Sequence, residues 1–316
     1  MSNNTNTNDP IRDEEIALKS ANLTLYVSPW GASLRGLMED ETLEIITRYK
    51  GSHKEGGQGD VLIPFPGRIN EGAYAFEGKQ YQMVKNDTEY SSAIHGFLRM
   101  RTWTVIARTD VSATFAVDLA ADDAPGYPFP LHTELTYEVN PSGILVKYAI
   151  TNTGDTDAPV AAGFHPYYSI GSALIDDTAL TVPFKSFLVF DENLIPTGGI
   201  KPVSETEYDF THERLIGRLK LNHCFLDPIR DIDGNVAITM RTSDAYKSVS
   251  VILGQEFDYV VLYSGDPLPE SLRRKSLAIE PMTCGSDGFN RPEWGPAVVK
   301  PGEKLTGKFS VVYKTS

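Results

Sequence analysis

Glu280 follows three apolar residues in Leu277-Ala278-Ile279-Glu280-Pro281, which puts a carboxylate where an apolar strand meets a proline. A carboxylate held that way is a candidate general base. The residue before a proline is pushed toward extended backbone. The strand is therefore expected to run out through Glu280 and Pro281 and then turn away, leaving the side chain at a strand mouth. His165 has the same kind of setting in Gly163-Phe164-His165-Pro166-Tyr167-Tyr168. Here an imidazole precedes a proline that cannot donate a backbone bond, among aromatic residues that suggest a pocket wall. A carboxylate and an imidazole, two titratable groups of different kind, thus share one local design.

Three other segments offer groups for the same chemistry, each with a plainer structural reading beside it. Arg68 follows an apolar strand and a proline-glycine turn in Val61-Leu62-Ile63-Pro64-Phe65-Pro66-Gly67-Arg68-Ile69-Asn70. Its fixed fork of donors suits hydroxyls or a carboxylate, or equally a salt bridge at a sheet edge. His95 stands before Gly96, where a missing side chain allows close approach of a ligand or of another backbone; a hydrogen-bonded structural histidine fits the same residues. Asn222 and His223 form a polar pair between Leu221 and Cys224.

The elements that must position these groups repeat with period two. Leu131, Thr133, Leu135, Tyr137 and Val139 form one face of a strand, with His132, Glu134, Thr136 and Glu138 on the other. That alternation marks a half-buried strand. Asn140-Pro141-Ser142-Gly143 supplies turn residues, and Ile144, Val146, Tyr148 and Ile150 continue a hairpin. A second hairpin reads from Tyr74 to Met83. Further strands are expected at 23–27, 102–106, 114–119, 187–190, 236–240, 249–253, 259–263 and 308–313. Helical periodicity is confined to one turn at 269–275 and a short helix at 214–221. Many short strands without strand-helix alternation point to an all-β fold, a large antiparallel β-sandwich with few short helices. No interior linker or repeat divides it, so one domain over residues 11–316 is expected, after a disordered polar leader over residues 1–10.

The 316 residues carry a net charge of −13, with 41% hydrophobic and 22% charged side chains. That balance suits a globular protein and argues against nucleic acid or an anionic membrane surface as partner, since phosphate binding relies on clustered Lys and Arg. No apolar run approaches the ~20 residues of a membrane-spanning helix, and the first residues lack the basic start and apolar middle of a secretory signal. A cytoplasmic location is the expectation. Two cysteines, Cys224 and Cys284, cannot build a disulfide framework or a cysteine-based zinc site; buried small apolar residues are expected at both.

Taken together, the segments resemble in order and wording the signatures of the aldose 1-epimerase (galactose mutarotase) family. Pro66-Gly67-Arg68-Ile69 matches an Arg-Ile after a proline-rich strand, and His95-Gly96-Phe97-Leu98-Arg99 matches a His-Gly with a following arginine. Gly163 to Tyr168 matches Gly-x-His-Pro-Tyr-aromatic, and Glu280 to Asn290 matches Glu-Pro-x-Thr-Cys with a later Asp-x-Phe-Asn. The resemblance spans nearly the whole chain and implies a supersandwich of the galactose mutarotase type. Two departures bear on substrate preference: Gly67 stands where the family often has Asn, and Asn222 where many members have an aspartate that contacts sugar hydroxyls. Asparagine donates and accepts hydrogen bonds but cannot supply a charge-assisted one.

The resemblance implies interconversion of the anomers of a free aldose. A base removes the C1 hydroxyl proton, an acid protonates the ring oxygen, the ring opens, C1–C2 rotates and the ring recloses. Glu280 is the expected base and His165 the acid, with His95 assisting at the ring oxygen and Arg68 and Asn222 holding hydroxyls. The chemistry requires no metal or nucleotide cofactor, and the expected partner is the small sugar itself. Other readings stay open on the residues alone. They are a hexose-6-phosphate mutarotase using Arg99 and Arg101, a non-catalytic sugar-binding protein, a glycosidase, and a two-histidine, one-carboxylate metal site.

Overall fold

The computed structural model describes residues 14–51, 53–87 and 89–315; the leader expected over residues 1–10 lies outside them. The antiparallel β-sandwich is what the structure shows. Among the described residues one sheet has 12 strands and a second has nine, joined in places by short 3-10 turns. In the nine-stranded sheet, Leu131–Asn140 alternates buried and half-buried residues along its whole length. It pairs in antiparallel register with Gly143–Asn152, Val139 opposite Ile144. Leu135, Val146, Val251 and Phe309 from this sheet join Leu25, Leu37, Ile279 and Phe164 from the other in one apolar core. Across that core the Tyr137 hydroxyl donates to the Ala32 carbonyl at 2.7 Å, and the Phe164 and Phe309 rings lie 4.9 Å apart. Burial on this scale, at roughly 25 cal/mol per Å2 of apolar surface, is what fixes strand register, because a one-residue slip would turn each inward face out.

The larger sheet positions the candidate groups. Leu277–Met282 is buried along its whole length and lies between Tyr259–Tyr263 on one side and the short strands Gly163–Phe164 and Tyr167–Tyr168 on the other. Asn222–Pro228 lies beyond Tyr259–Tyr263, with Asn222 opposite Tyr263.

Two local expectations change. The strand does not end at Pro281 but continues through Met282, with Pro281 opposite Val260. Glu280 is thus inside a central strand. Residues 214–221 form no helix: Arg214–Leu215 is a short edge strand paired with Thr178–Thr181, and the chain turns after it. Pairing outcompetes a weak helical pattern there because Ile216 and Leu221 are buried and Leu219 is half-buried, while Leu215 stays exposed. At Pro269, the Leu272 and Arg273 amides both donate to its carbonyl, which is the single turn expected.

Candidate active site

Glu280 and His165 meet where the ladder between their two segments is broken. The amide of Ile279 donates to the Pro166 carbonyl and that of Thr283 to the Ala162 carbonyl. Residue 281 lies between them on the same side of the strand, but as a proline it has no N–H to give. Opposite it the chain splits into Gly163–Phe164 and Tyr167–Tyr168, with His165 and Pro166 bridging the gap. In the register that sets Gly163 opposite Met282 and Tyr167 opposite Ala278, His165 falls opposite Glu280, and Nε2 of His165 stands 3.2 Å from Oε1 of Glu280. The His165 backbone is tied on its far side, its amide to the Asp60 carbonyl and its carbonyl to the Gly59 amide, both at 3.0 Å. Its ring stacks on Tyr167 at 5.2 Å, and the Tyr167 hydroxyl donates to the Gly56 carbonyl.

Both groups are almost wholly buried, at 5% and 4% exposure. Burial disfavours whichever form is charged, so it pushes Glu280 up to about 8, with Arg68 drawing it partly back. It brings His165 down to about 4, against the raising effect of the Asp60 carboxylate. Between those limits the pair holds one proton and titrates as a unit. A single proton shared across a 3.2 Å contact can be delivered from one member while the other accepts a second from a ligand.

The other expected residues surround the same cavity, which measures about 460 Å3. His95 presents its ring edge-on to His165 at 5.5 Å. It adopts a left-handed φ of 64°, a costly conformation for a non-glycine residue, imposed by bonds on both sides. Its amide donates to Gly67, and the Phe97 amide donates to Ile63. Gly96 permits this, since a Cβ there would stand 2.1 Å from the Ile63 carbonyl oxygen. The His95 Nδ1 is buried without a partner, and burial beside His165 and Arg99 holds its proton affinity well below the usual range.

Arg68 combines its two readings. Its Nε donates to Asp87 at 2.8 Å and its guanidinium lies over the Tyr90 ring at 4.7 Å, yet it lines the cavity. Asn222 is exposed at the cavity, which Phe190 and Leu194 also line. Ser286 lies on the wall beside Gly67, its hydroxyl 2.8 Å from where a side chain at residue 67 would begin. Cys224 and Cys284 are both buried and unpaired, as expected.

Several contributors were not singled out in the sequence. Asp87, Glu89, Tyr90 and Tyr263 also line the cavity. Lys54 and Asp60 are buried side chains near His165; Arg99, which the sequence offered for a phosphate, lines the cavity and pairs with Asp60. The Gly56-Gly57-Gln58-Gly59 run was the available signal for this corner, because three glycines in four residues before an apolar strand mark a close backbone approach. Arg101 pairs with Asp123 instead and does not line the cavity. Among the described residues no group of three or more His, Cys, Asp or Glu side chains is arranged to hold a metal ion, and no helix is long and apolar enough to cross a membrane.

The chain is 33% identical over 233 residues to YihR, an uncharacterised protein of Escherichia coli K12, covering 73% of this chain and 71% of that protein. It is 26% identical to the galactose mutarotase of Mus musculus over 94% of both chains. Among solved structures, a GalM/aldose epimerase homologue from C. elegans superposes with a TM-score of 0.85 at 21% identity, covering 96% of this chain and 99% of that one. A putative aldose 1-epimerase from Escherichia coli K12 superposes with 0.81 at 18% identity, covering 96% and 99%. At those identities the superpositions speak for the fold. The sequence pattern of the aldose 1-epimerase family matches residues 14–312. With that match running through both sheets and every wall of the cavity, the chain belongs to the aldose 1-epimerase family.

Proposed function

We propose that this protein is an aldose 1-epimerase that interconverts the α and β anomers of a free aldose by ring opening and reclosure. The observation that carries the reading is the 3.2 Å contact of Glu280 with His165 at a break in a central sheet, facing a cavity of sugar size. Glu280 as carboxylate takes the C1 hydroxyl proton while His165, as imidazolium, gives one to the ring oxygen. The pair needs only its single shared proton on His165 for this step. Reclosure on the other face of C1 returns both protons, so the enzyme ends as it began. His95 borders the ring oxygen, and Arg68 and Asn222 hold hydroxyls. Positioned acid and base groups each contribute ~100 to 10,000-fold, which suits a reaction that already proceeds slowly in water.

A hexose-6-phosphate reading is less well supported. Arg101 is committed to Asp123 away from the cavity, and one Nη of Arg99 is committed to Asp60. Arg68, the other cation on the walls, is paired with Asp87, and Glu89 adds negative charge, which favours a neutral ring. Polarimetry of freshly dissolved α-D-glucose and α-D-galactose tests the proposal. The decay to equilibrium rotation should accelerate in proportion to protein concentration for at least one aldose. If neither sugar, nor a panel of pentoses and hexose 6-phosphates, responds, the protein is a binder and not an epimerase.

A further inference from the structure

Beside His165 lies a buried cluster of three charges that the acid-base scheme does not use. Asp60 is 1% exposed. Its Oδ1 accepts from Lys54 at 2.8 Å and its Oδ2 from Arg99 at 2.9 Å, while Lys54 also donates to the Arg99 carbonyl at 3.1 Å. Burying three charges costs several kcal/mol in desolvation, and apolar side chains could fill the same space. The cluster is also joined to the reactive pair, since the Asp60 carbonyl holds the His165 amide. A Cβ on Gly57 would stand 3.5 Å from Nε2 of His165 and 3.6 Å from Oδ2 of Asp60. Two atoms that close to one point are at most about 7 Å apart, a range at which buried charges interact strongly.

We propose that Asp60, clamped between Lys54 and Arg99, is a positioning residue for His165. It fixes the imidazole through its peptide carbonyl and sets the proton affinity of the acid through its charge. The inference rests on the epimerase reading. Around His165 the Asp60 charge favours the imidazolium and the Arg99 charge opposes it; His95 and Tyr167 face the ring, Arg68 acts on Glu280, and Glu280 in turn raises Tyr263. Lys54 is itself pushed down by burial and held up by Asp60, so it is coupled to the same carboxylate.

The test is the pH profile of kcat/KM for mutarotation in Asp60→Asn and Lys54→Met. Removing the negative charge should move the limb set by His165 to lower pH by about one pH unit, and removing the positive one should move it to higher pH. The double variant, which keeps the net charge of the cluster, should return the profile close to that of the wild type, and it serves where Asp60→Asn alone does not fold. Limbs that stay in place, or that move the same way in both single variants, overturn the proposal. Histidine ring 15N spectra, with His165 assigned from its loss in His165→Asn, supply a readout that needs no turnover. Ring shifts that move in opposite senses in the two variants of an inactive protein count against the epimerase reading alone, and unmoved shifts overturn this one.

Discussion

Glu280 is asked to hold a proton and to take one, and its position explains both. Burial keeps it protonated to about 8, while His165 at 3.2 Å is the place to which that proton can move when a ring oxygen needs it. Glu280→Gln preserves shape and hydrogen bonding but cannot accept the proton. It should lose nearly all rate enhancement, on the order of 100- to 10,000-fold, with sugar affinity within a few-fold by equilibrium binding. His165→Asn should behave alike, and the double variant should be little worse than either, because residues acting as a unit are not additive. Turnover near wild type in Glu280→Gln would assign the base elsewhere. Asn222 makes a separate prediction from its exposed place at the cavity. Asn222→Asp should reorder Michaelis constants among glucose, galactose and xylose, since a charged acceptor gains ~1 kcal/mol over a neutral one where donors are in place. An unchanged ranking removes Asn222 from the site.

At the scale of elements, the site is a sheet defect held open by its neighbours. Gly57, at φ +76°, lets the loop lie against the His165 ring, where an added Cβ would be 3.2 Å from Cδ2. Gly57→Ala should therefore displace the imidazole and lower kcat at least tenfold, while the left-handed backbone costs about 1 kcal/mol of stability. Kinetics compared with urea unfolding separates the two; a variant that loses only stability contradicts the role given to the loop. This level was only partly legible in the sequence. The alternation of Leu131–Asn140 reported its burial directly, whereas Pro166 and Pro281 each announced a restricted backbone without revealing that their two segments run side by side, the Ile279 amide donating to the Pro166 carbonyl. The Glu280 strand was read as ending for that reason. The Lys54, Asp60 and Arg99 cluster joins positions 6 and 39 residues apart, and no local pattern marks ion pairs that only tertiary packing brings together. Conversely, Leu215, Ile216 and Leu219 offered helical spacing that edge pairing overrode.

For the whole molecule, the buried pair links chemistry to stability. Folded Glu280 keeps its proton to about 8, whereas an unfolded glutamate loses it near 4.3. The folded state binds more protons between these values, so this contribution is full below about 4.3 and is lost as pH rises through 8. His165 and His95 are lowered, and their contribution has the opposite sign: it is present above about 6.5 and lost as pH falls. Between about 6.5 and 8 the Glu280 trend is unopposed by either histidine. Urea unfolding should show stability declining there by roughly 1 kcal/mol per pH unit, with a flatter response in Glu280→Gln. Equal slopes would mean that Glu280 is ionised in the folded chain.

The central claim is that this cavity interconverts anomers, and exchange at equilibrium tests it most directly. Saturation-transfer NMR on the C1 protons of α and β aldose, with no net reaction to follow, reads the exchange rate itself. The rate should rise linearly with wild-type protein for at least one aldose and fall to the buffer value with Glu280→Gln. Exchange that stays at the buffer rate for every aldose, at concentrations where sugar binding is measurable, would contradict the account.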